Sequence, residues 1–516
     1  MIPVAGLILA CLFPTQVPNP NAAAKVSEAL HAEHRSLLEH ESGKLDAIVR
    51  KLRAEGRKET EAEVRKWIPV APSPDGATRF VPLAEIVAGN AKGLASVPSG
   101  RETPWRGEVY AIRAQSSKDL FELAKRAASS NPKHYALADV CLRDVLARTP
   151  DHPEARRLLG FVPYQGGWAT PFAIGRIKEG MTFHPVYGWV NASWVPHLEK
   201  GELPGRGGIG GRESWLPAEK ADAQRREFSQ GWEISTEHFQ IKTNVPLSEA
   251  ISFGRSLETL HEVFESLFAD VIGENTSLAR RFKSSTAVGE PKVEPHYVSY
   301  FAARDEYIST VRPFQGDTVD ESLGIYIRAS KGRKRGHAYF FREVNGQLDV
   351  TATLHHEVSH QLLFESGVAG PNDYLRNVGN YWVFEGLGTY FETLTFTKNG
   401  DVEIGGLVGP RLAEARKSFE KEGTLVPLAA FIRFDQDHFN RGDIFKHYQQ
   451  ANALATFLMS ARDGTYREGF LDYVRDACKG ALKRTSGKSL EDRVDRSASD
   501  LEKELFAYLR GAESAK

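Results

Sequence analysis

Thr351-Ala352-Thr353-Leu354-His355-His356-Glu357-Val358-Ser359-His360-Gln361-Leu362-Leu363-Phe364 is the stretch from which the rest of the chain can be read. Leu354, Val358, Leu362 and Leu363 recur at helical spacing, which predicts a helix with one buried face. Residues four apart on such a helix lie almost one above the other, so His356 and His360 can both turn a ring nitrogen onto one metal ion. Glu357, next to the first of them, then points toward the open side of that ion. A carboxylate there can take a proton from water and pass it to a leaving group, so Glu357 is assigned as general base and not as ligand. His355 points about 100° away around the helix and reads as a packed or solvated side chain.

A catalytic zinc keeps three protein ligands and one open position, so a third ligand is expected downstream. Glu385 is the candidate, in Tyr381-Trp382-Val383-Phe384-Glu385-Gly386-Leu387-Gly388-Thr389-Tyr390-Phe391-Glu392, with 24 residues between it and His360. Glu392 is the next choice. A thiolate site is excluded, because Cys11, Cys141 and Cys478 are too widely spaced. The two blocks resemble the gluzincins, the zinc peptidase clan of thermolysin and the zinc aminopeptidases, whose third ligand is a Glu on a second helix. Glu385, Gly386, Tyr390 and Glu392 look most like the aminopeptidase and peptidase-MA branches. The interval is longer than is usual there, and the Gly/Pro/Asn-rich run Ser366–Asp373 is where extra residues are cheapest to insert.

The resemblance implies one catalytic Zn²⁺, a peptide or protein substrate, and a donor for the oxygen of the tetrahedral gem-diolate. Lys446-His447-Tyr448-Gln449-Gln450-Ala451 resembles the Tyr-bearing helix of gluzincins, making Tyr448 the candidate donor, with His447 and His438 behind it. Gly336–Phe341 resembles the zincin edge strand, which pairs with an extended peptide. Nothing reads as the Gly-x-Met-Glu-Asn element that captures a free N-terminus, which points to an endopeptidase-like cleft.

The rest of the 516-residue chain supplies the setting. Its 41% hydrophobic and 26% charged residues and formal net charge of −1 are ordinary globular values, and they give no electrostatic footprint for nucleic acid or an anionic membrane. The basic run Lys331-Gly332-Arg333-Lys334-Arg335 reads as a solvated turn. Residues 1–24, with the apolar run Val4–Phe13 and a small-residue end, read as a signal peptide too short to span a bilayer, although no Lys or Arg precedes the run. Export to the outside or the cell envelope (periplasm) follows. In the alternative reading, Ile8-Leu9-Ala10-Cys11 is a lipobox and Cys11 a lipid anchor.

Residues 25–200 read as a mainly helical region whose part from Ser117 to Leu159 looks like one tetratricopeptide-type hairpin, either a protein-binding surface or, preferably, a packing module. Residues 201–230 read as a Gly-rich linker. Strand, amphipathic helix (Leu247–Phe268), strands and then the H-E-x-x-H helix order residues 231–380 like a zincin upper lobe, and 381–510 like the helical lower lobe carrying the third ligand. The expected fold class is therefore α+β, a zincin-like catalytic domain behind a helical N-terminal region. Two other functions fit the same residues: a non-catalytic zincin-fold scaffold binding a partner through its N-terminal half, and a zinc hydrolase of another amide or ester. Glu357 argues against the scaffold, which needs the ligands at most.

Overall fold

The computed structural model describes residues 20–69, 76–87, 104–206, 214–273, 276–284, 294–329, 335–342, 350–366, 380–397, 401–407, 410–422, 425–478, 482 and 489–511. Most of the 1–24 segment, Cys11 with it, lies outside them, as do residues 207–213, 330–334 and 367–379. No described helix is long and apolar enough to cross a membrane.

The architecture is mixed α+β. Its N-terminal layer consists of α1 (Pro20–Ala54), α2 (Pro104–Ser129) and α3 (Tyr135–Arg148). α2 and α3 pack as a hairpin around Leu120, Leu123, Ala127, Leu142 and Val145, and the same cluster takes in Ala269, Leu278 and Ala279 from beyond the hairpin. Arg143 on α3 holds both Asp139, at 2.7 Å, and Glu262, at 2.6 Å, so the helical layer is tied directly to α4 (Leu247–Leu267). In the stretch 201–230, expected as a linker, the described residues form a hairpin of Glu202–Pro204 with Trp215–Pro217 and a helix Ala218–Ala223. Leu203 and Ala221 from these elements are buried in the main core.

That core is built on a five-stranded mixed sheet of β1 (Trp232–Ser235), β2 (Phe239–Thr243), β3 (His296–Phe301), β4 (Gly324–Ile327) and β5 (His337–Phe341), in the order β4-β5-β3-β2-β1. β2, β3 and β5 are parallel, while β1 and β4 run antiparallel at the two edges. β2 alternates as a half-buried strand should, with Phe239, Ile241 and Thr243 inward. In α4, Leu257, Leu260, Val263, Phe264 and Leu267 form the buried stripe. The opposite face of the sheet is closed by the helix Arg304–Gln315 through Tyr307 and Val311 against Phe301 and Phe341.

The strand expected at the edge is in fact internal. β5 pairs with β3 on one side and β4 on the other, and its last four residues are all buried. A continuous apolar run such as Ala338-Tyr339-Phe340-Phe341 belongs to a strand covered on both faces, and the free edge falls to β4. Against this sheet lies α5 (Val350–Glu365), in contact with β4, β5 and α4. It is followed by α6 (Trp382–Phe391), which packs on both α5 and α7 (Ile444–Gly464).

Candidate metal centre

α5 buries Leu354, Val358, Leu362 and Leu363, the stripe expected from the sequence. This fixes the helix so that His356 and His360 face α6. Their Nε2 atoms lie 3.1 Å apart. Glu385, in the first turn of α6, brings Oε2 to 3.3 Å from Nε2 of His356 and 3.9 Å from Nε2 of His360. Bonds of about 2.0–2.1 Å at tetrahedral angles place neighbouring ligand atoms roughly 3.3 Å apart, so these three atoms fit one small divalent ion. Among the described residues, His356, His360 and Glu385 are the group that could hold a metal ion.

Glycine makes this approach possible. A Cβ on Gly388 would lie 2.6 Å from Cε1, 2.7 Å from Nε2 and 2.8 Å from Nδ1 of His356, so the imidazole occupies the space over the bare backbone of α6. Gly386 does the same for α7, where a Cβ would come within 2.9 Å of the Ala451 carbonyl oxygen. α6 therefore sits close to both neighbours.

Electrostatics favour a cation here. Burial opposes charge on His356, but bonds to Glu385 and Glu392 outweigh it and push its pKa up to about 10. Burial likewise opposes charge on Glu385, and the two imidazoles nevertheless hold it well below the usual carboxylate range. Carboxylates gathered in a buried place need a compensating positive charge, and here protonated imidazole supplies it where a metal ion could.

Glu392, the fallback ligand, lies on the other side of His356: its Oε1 is 2.9 Å from Nδ1, away from the nitrogen that faces Glu385. A carboxylate there fixes the ring and leaves Nε2 free to ligate. Glu357 is half-buried, and its Oε2 accepts the backbone N–H of Tyr326 on β4 at 2.9 Å. It is not one of the three converging ligands. Tyr448 is half-buried near the start of α7, its ring centroid 6.4 Å from that of His356 and 5.3 Å from that of Phe439. His447 is buried and its Nδ1 bonds the Phe439 carbonyl at 2.6 Å, while His438 pairs with Asp435 at the surface. His355 is buried, a packed side chain and not a solvated one.

Gly388 and Tyr326 were not singled out by sequence reasoning. Gly388 follows Glu385 by three residues and so shares its helical face, a local signal that was legible. Nothing local connects Tyr326 to Glu357, 31 residues away.

No curated protein matches the chain. Residues 350–481, from the first residue of α5 through α6 and α7, match the model of a family described as "Protein of unknown function (DUF1570)".

Proposed function

We propose that this chain is a zinc-dependent metallopeptidase of the gluzincin kind, with His356, His360 and Glu385 holding one Zn²⁺ and Glu357 acting as general base. The observation that carries this reading is the convergence of the two Nε2 atoms and Oε2 of Glu385 beside a carboxylate that is itself not a ligand. Two imidazoles and one carboxylate are a donor set suited to catalytic zinc. When bound, Zn²⁺ supplies Lewis acidity, lowering the pKa of water and polarising a carbonyl.

The protein's own groups divide the remaining work. Glu357 takes the proton from the attacking water and returns it to the leaving amine. Glu392 holds His356 in the tautomer that presents Nε2, and Tyr448 offers a hydroxyl to the oxygen on which charge develops. β4 is the edge strand beside α5, and its outward backbone groups other than the Tyr326 N–H, which Glu357 occupies, are the ones suited to align an extended peptide. In this reading the sheet with α5 is the upper lobe and the helices from α6 onward the lower lobe of a zincin fold. The N-terminal segment, read as a signal peptide from its apolar run, supports a location outside the cell or in its envelope.

Metal analysis of purified protein together with digestion of a broad peptide library tests the proposal. One zinc per chain and cleaved peptides are expected. Protein that takes up no zinc, or a loaded protein that leaves every peptide intact, would overturn it.

Tyr448 has its own test. A donor to a developing oxyanion strengthens only as charge accumulates, so Tyr448→Phe should lower kcat by roughly 10²-fold with little change in KM. If the ring merely packs on Phe439, kcat will hold and only the melting temperature will shift slightly.

A further inference from the structure

Glu365 ends α5, five residues beyond His360, and its side chain is 4% exposed. Both carboxylate oxygens are nevertheless fully engaged. Oε1 accepts the Tyr326 phenol at 3.0 Å and the Gly336 N–H at 2.8 Å. Oε2 accepts Nη1 of Arg335 at 3.1 Å and lies 2.6 Å from Nδ1 of His296. Arg335 also donates to the backbone carbonyl of Glu365, at 3.0 Å. Burial alone would push the Glu365 pKa up, but His296, Arg335 and the Gly336 N–H hold it below its ordinary value. One buried carboxylate thus ties together α5, β3, β4 and the lead into β5.

Tyr326, half-buried on the edge strand, is held through its ring as well as its phenol. Its ring stacks on Phe364 with centroids 6.3 Å apart and planes at 14°. Gly336 lies so close beneath it that a Cβ there would be 2.5 Å from Cε2 and 2.6 Å from the hydroxyl oxygen. The backbone N–H of this same residue is the one that donates to Glu357. Alternate N–H groups of an antiparallel strand point away from the partner strand, and on β4 the Tyr326 N–H is turned toward α5 instead of β5.

We propose that Glu365 and Tyr326 form a clamp that positions the general base: Glu365 anchors the Tyr326 phenol, and with it the edge strand, so that the Tyr326 N–H holds one oxygen of Glu357 in place. This rests on the hydrolase reading above and adds two positioning residues to it. The need for a clamp is physical. An edge strand has a neighbour on one side only, and a Glu side chain has three rotatable bonds, whereas proton transfer tolerates errors of about 0.5 Å. Because Glu357 and Glu365 are eight residues apart on one rigid helix, β4 is fastened to α5 at two points about two turns apart. A single N–H bond to Oε2 still leaves carboxylate lone pairs free to accept a proton.

Replacing Glu365 risks the fold, so the decisive variants are at Tyr326. Tyr326→Phe removes only the anchored hydroxyl and should lower kcat roughly 10-fold, with KM, metal content and melting temperature close to wild type. Tyr326→Pro removes the N–H as well as the ring, at an edge position where proline is tolerated, and should be roughly 10-fold slower again than Tyr326→Ala. A second readout needs no turnover. In protein labelled with ¹⁵N-tyrosine, the Tyr326 amide signal, identified by its loss in Tyr326→Phe, should move when Glu357 is changed to Gln. An unchanged kcat in Tyr326→Phe, or a Tyr326 amide indifferent to Glu357→Gln, would overturn the clamp. Wild-type protein that turns over no peptide overturns the hydrolase reading, and with it the catalytic purpose of the clamp, whatever the amide signal does.

Discussion

Glu357→Gln should keep its zinc and its fold and lose nearly all turnover. Zinc should remain because the three atoms that could hold it belong to His356, His360 and Glu385, and Glu357 is not among them. The fold should remain because a Gln side-chain oxygen can still accept the Tyr326 N–H that now reaches Glu357 Oε2 at 2.9 Å. What the amide cannot do is take a proton from water. General base catalysis contributes roughly 10²–10⁴-fold, so kcat should fall by at least that range at saturating peptide. Steady-state kinetics beside metal analysis decide the matter. A variant with comparable rates rejects the mechanism, and one that loses its zinc makes Glu357 a structural residue.

Gly388→Ala should cripple metal binding through a single methyl group. The added Cβ would stand 2.6–2.8 Å from three atoms of the His356 ring, closer than real carbons pack. The ring cannot retreat without cost, since Glu392 holds Nδ1 at 2.9 Å and Nε2 must stay near His360 and Glu385. Overpacking of this kind costs about 1–3 kcal/mol, which corresponds to roughly 5–150-fold in zinc affinity if the strain falls on the bound geometry. Without metal only the bonds to Glu392 and Glu385 resist a turn of the imidazole, so the melting temperature of the metal-free protein should change less than that of the loaded one. Titration against a chromophoric chelator, with melting curves in both states, measures this. Wild-type affinity in the variant would mean that α6 shifts freely and that the close approach has no role in the site.

Much of this arrangement was legible because it is local. Four-residue spacing put His356 and His360 on one face, and the stripe Leu354, Val358, Leu362 and Leu363 put the other face in the core. The helical pattern likewise located α4 to within a residue, and the strand expected at Gly336–Phe341 is β5 to within a residue. Glu385 could be nominated because a ligand set of two imidazoles is incomplete, and the fold does bring its carboxylate to them.

Strand order was another matter. The apolar pattern of β5 is compatible with any place in the sheet until its neighbours are known, and only its burial between β3 and β4 excludes the edge. Glu392 was readable as a carboxylate near the site, yet whether it meets Nε2 or Nδ1 of His356 depends on how α6 crosses α5.

The sequence by itself determined the helix that carries the site, the paired His356 and His360 and the candidate base, because each follows from side-chain chemistry at a fixed helical spacing, and it nominated Glu385 with Glu392 behind it. The tertiary structure alone decided which strand is the edge, which nitrogen of His356 is left for an ion, and that Glu357 is held from β4 by Tyr326 and Glu365. Those relations join residues tens of positions apart, and they are set by how helices and strands pack against one another. No local period in the chain encodes such contacts.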